Sequence, residues 1–228
     1  PITPWSESMT ARLAFTSFWL LIAVGCVPGV VALIDGGGLL SLPFETTRPE
    51  SFILNGAQRI SEGLPLYTAL DTPPFVVHVY NPLTYLPAGL AARLFDLDLH
   101  GMLITGRVLS FISTILLLHV LGAWIWFQSR NWKATAFAGM AVLFFHFPAL
   151  TDFFRLRPES PGLLFTFAGL VIFLSKLPRR YTLSAVSLFV AFLFKQSFIA
   201  APVSIFIFLV CKKDVKNALA FAGTLGGL

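Results

Sequence analysis

The chain reads as a succession of uncharged apolar runs separated by short polar breaks. Residues 13–34 carry no charge and exceed the about 20 residues that a helix needs to cross a bilayer. Residues 108–127 form a second run, interrupted only by His119, and residues 134–150 a third. Residues 161–175 and 181–194 are shorter, residues 197–211 follow directly after Lys195 and Gln196, and a last run opens at Asn217. This patterning predicts an all-α polytopic membrane protein with about six or seven transmembrane segments. Residues 1–228 are read as a single transmembrane domain. Because the chain opens on Pro1 and stops at Leu228 within an apolar run, it is expected to be a piece of a longer protein.

Composition supports lipid as the solvent. Of the 228 residues 56% are hydrophobic and 12% charged, with 24 Phe and 5 Trp. Soluble chains carry about 25% charged residues, so too little polar surface is left here to face water. A net charge of +5 raises nucleic acid as a partner. The basic residues, however, sit in short clusters between apolar runs, as topology determinants do, and nucleic acid is not expected. With Arg12 on the cytoplasmic side, alternation puts Arg130 and Lys133, Lys176, Arg179 and Arg180, and Lys212, Lys213 and Lys216 on that side too. Cys26 and Cys211 are separated by a span and are not expected to pair. The alternation requires residues 81–95 to lie in the outer membrane interface and not to cross it.

Residues 35–106 then form a non-cytoplasmic loop of roughly seventy residues, far beyond the ordinary length of a structureless connection. It opens on Gly36-Gly37-Gly38 and carries juxtamembrane helices. Thr47-Arg48-Pro49-Glu50 has capping-box spacing, with Thr47 as cap and Pro in the first turn. Ile53, Leu54, Ala57 and Ile60 recur at helical spacing, and Gly63 is the expected stop. The result is an amphipathic helix suited to the membrane surface. Glu50 lies on its apolar side, where a carboxylate either has chemical work or serves the helix dipole. Glu45 is the other acid nearby, read as either solvated or functional. His78 and Tyr80 belong to a Pro- and aromatic-rich stretch that offers stacking faces to sugar rings or lipid tails, or anchors at the interface.

A second outer loop holds Asp152, Arg155, Arg157 and Glu159 just ahead of Ser160-Pro161-Gly162. Arginines before a helix N-terminus make a phosphate site; the alternative is a set of salt bridges that pins the loop. Lys195, between two apolar segments, is read as a lipid-phosphate partner or as snorkelling to the interface. Arg107 carries the same two readings.

The order of these pieces resembles the GT-C superfamily of membrane glycosyltransferases, nearest to the protein mannosyltransferase and lipid A aminoarabinose transferase branch. The stretches that carry the likeness are PESFILNGAQRISEGLPLY (49–67), PPFVVHVYNPLTYLPAGLAARLF (73–95), GRVLSFIS (106–113), RLRPESPGLLFTFAGL (155–170) and FLFKQSFIAAP (192–202). The resemblance implies transfer of a sugar from a polyprenyl-phosphate donor to an acceptor on the non-cytoplasmic face. It implies residence in the bacterial inner membrane with a periplasmic active face, and membrane lipids as partners. Glu50 matches the acidic residue that serves the family as base or metal ligand. Thr47 stands where relatives carry a companion Asp, which makes Glu45 a substitute and leaves a divalent metal as an open cofactor. Arg157 and Glu159 match the family's second-loop element, and Arg155 and Lys195 would help to hold the donor phosphate. Broken helices and charges at membrane depth also suit a transporter or lipid flippase, and the departure at Thr47 suits a non-catalytic subunit of a membrane complex.

Overall fold

A computed structural model describes residues 34–69, 71, 77–138 and 154–228, together with Thr16, Leu20, Val27, Val30 and Val31. Most of the apolar runs 13–34 and 134–150 lies outside the described residues, as do Arg12, Cys26, Asp152 and the Pro73-Pro74-Phe75 stretch. Among the described residues the chain is helical, without strands. The helices are α1 (Arg48–Ser61), α2 (Leu86–Phe95), α3 (Leu99–Ser129), α4 (Glu159–Leu174), α5 (Arg180–Phe194), α6 (Ala200–Cys211) and α7 (Val215–Gly227). Residues 34–40 and 132–138 are helical as well.

By length and composition one described helix, α3, qualifies to cross a membrane; it has 31 residues and its most apolar stretch is only 22% buried within the protein. The core helix of a soluble domain would be mostly buried, whereas most of this apolar surface is exposed. The next apolar helices are shorter, with 16 residues in α4 and 15 in α5. At about 1.5 Å per residue they reach at most ~24 Å, short of the ~30 Å hydrocarbon core. Of the six or seven expected spans, the described residues show one helix of spanning length and several shorter apolar ones, and two further runs lie mostly outside them. The shortness has a local reason: the chain turns at Ser175 to Arg179, breaks at Lys195 and turns again at Lys212 to Asp214.

The outer segment is also more ordered than a loop. Gly36-Gly37-Gly38 is part of a helix, and a side chain at Gly36 would collide with the Phe154 ring. At the other end α3 starts at Leu99, seven residues before Gly106, where the Asp98 carboxylate accepts the Gly101 N–H at 2.8 Å. α1 and its stop appear where the spacing put them, with Gly63 at φ +74° closing the turn. Its apolar face, however, packs on protein and not on a membrane surface. Ile53, Leu54 and Ala57 are buried against Tyr85, Ala88 and Ala92 on one side and Met102, Leu103 and Leu156 on the other. Residues 81–95 give a short 3-10 turn, Pro82–Thr84, and then α2.

A second core joins α5, α6 and α7 through Ala185, Leu188, Ile205, Leu209, Ala218 and Phe221. α3 and α4 run the same way: Thr114 meets Ser160 at 3.2 Å, while Val120 to Gln128 share a cleft with Val171 to Ser175. α5 runs against α4, with Lys195 beside Glu159 at one end and Tyr181 beside Phe173 at the other. Phe208 near the end of α6 packs on the same Phe173 ring. The turns bearing Arg130, Lys176 to Arg180, and Lys212 to Lys216 thus share one end of the bundle. α1, α2, residues 154–159 and Lys195 occupy the opposite end.

Candidate functional site

Two clusters of charged and aromatic side chains stand at that opposite end. The first is centred on Glu50, which is fully buried in the first turn of α1. Its Oε1 accepts from Arg107 Nε and from the Leu156 N–H, both at 3.0 Å. Its Oε2 accepts from Thr46 N–H at 2.7 Å, Thr46 Oγ1 at 2.9 Å and Arg107 Nη2 at 3.1 Å. Arg107, also fully buried, donates its remaining hydrogens to the carbonyls of Leu39 (2.6 Å), Leu42 (2.8 Å) and Phe44 (2.9 Å). A guanidinium has five N–H groups, and here five bonds use them all. Burial pushes the Glu50 carboxyl up, but the Arg107 hydrogen bonds, the Thr46 and Leu156 amides and the guanidinium charge outweigh it, so its pKa lies below the ordinary value.

This geometry overturns two expectations and bears out a third only in part. Glu50 as a catalytic base does not fit, because a carboxylate with both oxygens occupied and a lowered pKa has neither the reach nor the basicity to take a proton. Arg107 neither snorkels nor faces a phosphate, since every donor is already used. Thr47 does occupy the N-cap position, yet its hydroxyl is buried without a hydrogen-bond partner. The Glu50 carboxylate reaches one residue further back, to Thr46. The hub stitches together four pieces of chain: residues 39–46, α1, α3 and Leu156.

The second cluster surrounds the break between α5 and α6. Lys195 ends α5 with extended backbone, and a 3-10 turn, Gln196–Ile199, follows. Its Nζ donates to Glu159 Oε1 at 2.7 Å, with both side chains 30% exposed, and lies 5.7 Å from the centre of the Tyr80 ring. The segment 79–84 is tied to this break. Gln196 Nε2 donates to the Val79 carbonyl at 3.0 Å, Asn81 to the Phe192 carbonyl and Thr84 to the Phe194 carbonyl. Tyr67 donates its hydroxyl to the Tyr80 carbonyl at 2.8 Å, and the Tyr80 N–H donates to the Tyr85 hydroxyl at 3.1 Å. Burial pushes the Tyr85 phenol up to about 12, so it stays protonated.

Two groups in this cluster hold unused hydrogen-bonding capacity. Glu159 Oε2 is buried with no partner, and so are both ring nitrogens of His78, packed edge-on against Tyr85. Burial, with a smaller push from Arg59, lowers the His78 pKa and keeps the imidazole neutral near pH 7. Such orphans are uncommon in a folded protein and mark a place where another molecule can complete the bonding.

Arg155 and Arg157 flank the buried Leu156, and the Arg157 carbonyl accepts from Ser110 Oγ at 3.4 Å. They lie on the short stretch that links the hub to Glu159. Glu45 is exposed, five residues before Glu50. Among the described residues no three His, Cys, Asp or Glu side chains come together as a metal ion would require. Comparison of the chain with protein-family models, with curated proteins and with solved structures finds no match.

Proposed function

We propose that this chain belongs to an integral membrane glycosyltransferase of the GT-C type, with about six or seven membrane segments. It moves a sugar from a polyprenyl-phosphate donor to an acceptor at the end of the bundle opposite the basic turns. That end faces the periplasm of a bacterial inner membrane, and the basic turns face the cytoplasm. The membrane reading is supported by the exposed apolar surface of α3 and by outward-facing Val186, Val203, Ile207 and Leu219 on the shorter helices. Short helices can still lie within the bilayer where neighbouring helices and locally thinned lipid accommodate them.

The observation that carries the catalytic reading is the Lys195–Glu159 pair beside Tyr80, with one carboxylate oxygen left unpartnered. Inverting transfer needs a carboxylate that orients and deprotonates the acceptor, and a cation for the departing lipid phosphate. Glu159 takes the first role, which Glu50 cannot perform, and Lys195 the second. Tyr80 offers an aromatic face to the sugar. Arg155 and Arg157, on the same stretch as Glu159, add positive charge, and His78 offers a neutral donor and acceptor. Glu45, exposed and outside both clusters, is a solvated loop residue.

The test is a transfer assay on the complete protein in lipid, supplied with polyprenyl-phosphate sugars. Glu159→Gln keeps an acceptor for Lys195 but not a base, and turnover should fall ~100- to 10,000-fold with the fold intact. Turnover close to normal would remove the catalytic reading. The fully structural role of Glu50 favours a second reading, a non-catalytic subunit of a membrane complex. That protein would show no transfer with any donor and would retain its partners after the Glu159 substitution.

A further inference from the structure

The opposite end of the bundle carries a different feature. Between the C-terminal halves of α3 and α4 runs a cleft of ≈ 350 Å³, lined by Trp124, Phe127 and Gln128 on one side and Leu174 and Ser175 on the other. Its walls are mostly apolar, and its size falls in the range of small-ligand sites, about 300–1,000 Å³. Two arginines stand at its mouth. The Arg130 guanidinium lies 5.2 Å from the centre of the Phe127 ring, and Arg180 donates to the Ser175 carbonyl at 2.8 Å. Lys176 and Arg179 sit on the same turn and are exposed. Trp124, one of the lining residues, also keeps its indole N–H buried.

An apolar slot with a cationic rim describes an amphiphile with an anionic head. We propose that this cleft binds one anionic phospholipid of the adjacent leaflet. An acyl chain occupies the apolar slot beside Trp124, and the headgroup phosphate lies between Arg130 and Arg180. Arginine suits this role because its planar fork pairs with phosphate oxygens in a bidentate way. The inference rests on the membrane reading but not on the catalytic one, since the cleft is remote from Lys195 and Glu159.

The experiment reconstitutes the chain in bilayers that contain brominated phosphatidylglycerol or brominated phosphatidylcholine, at equal mole fraction. The Trp124 share of fluorescence is isolated by comparison with Trp124→Phe. Quenching of that share should be markedly stronger with the anionic lipid. Arg130→Asn, which tolerates the positive φ at this position, and Arg180→Gln should each reduce the preference, by roughly fivefold per arginine. Thermal melts of both variants establish that they remain folded. Equal quenching by the two lipids overturns the lipid site and leaves the membrane reading intact. Quenching by neither overturns both.

Discussion

Two ion pairs of this protein use the same chemistry for opposite ends. Glu50–Arg107 is fully buried, and each partner is saturated by further bonds to backbone and hydroxyl groups. Lys195–Glu159 is partly exposed and leaves one carboxylate oxygen unused. A buried pair endures only when the surrounding groups replace the water that both charges have lost. Once they do, nothing is left over for a ligand. A pair at the edge of the structure contributes little to stability and keeps its capacity to change partners. Charge at a functional end of a protein is therefore weak evidence of function until the hydrogen bonds have been counted.

Arg107→Ala should have the largest effect on stability. It leaves the Glu50 carboxylate buried beside a cavity and strands three carbonyls, and should destabilise the fold by about 3–5 kcal/mol. Chemical unfolding in detergent micelles would measure it, and a loss below 1 kcal/mol would mean that the hub does not hold these segments together.

Acid sharpens the same contrast. The folded-state pKa of Glu50 is depressed, so its stabilisation is fully present above the ordinary carboxyl value of 4.5 and is lost as pH falls through the folded value. Wild type should lose stability as the pH drops below about 4.5, with a slope that Glu50→Gln largely removes. The Gln variant starts from a lower stability at neutral pH, because Arg107 then has no counter-charge. An identical acid slope in both proteins would assign the loss to other carboxylates.

The smallest effect on stability belongs to the second pair. Lys195→Ala should change the unfolding free energy by no more than ~1 kcal/mol, since the pair is accessible to solvent and screened by salt. A double-mutant cycle with Glu159→Gln should give a coupling well below that of Glu50 and Arg107. A coupling as large as that of the buried pair would mean that Lys195 and Glu159 belong to the scaffold.

Much of the architecture was legible in the residue order. The helix from Arg48, its Gly63 stop, the turn at Asn81-Pro82 and the break at Lys195 follow from capping, proline and charge rules that act within a few residues. Glu159, Lys195 and Tyr80 were legible as candidates, because charged and aromatic residues next to apolar runs are conspicuous. The partner of Glu50 was not. Arg107 lies 57 positions away, and nothing in its neighbourhood distinguishes an arginine that will be enclosed from one that reaches for the interface. Asp98, eight residues before Gly106 and placed to cap a helix, was the available signal that α3 begins earlier and carries Arg107 within it.

Residue order alone accounts for a helical, strongly apolar chain with basic turns at intervals and an amphipathic helix opening at Thr47. Those properties depend on composition and on contacts a few residues apart. Only the tertiary structure decided where the amphipathic face would be buried, and it chose α2 and α3 over a membrane surface. It alone decided that Glu50 would be consumed by Arg107 and Leu156 while Glu159 kept an oxygen free. Periodicity tells which face of a helix is apolar but not what will cover it. A carboxylate's chemistry depends on the donors that chain folding brings within about 3 Å, and those donors come from segments far apart in the sequence.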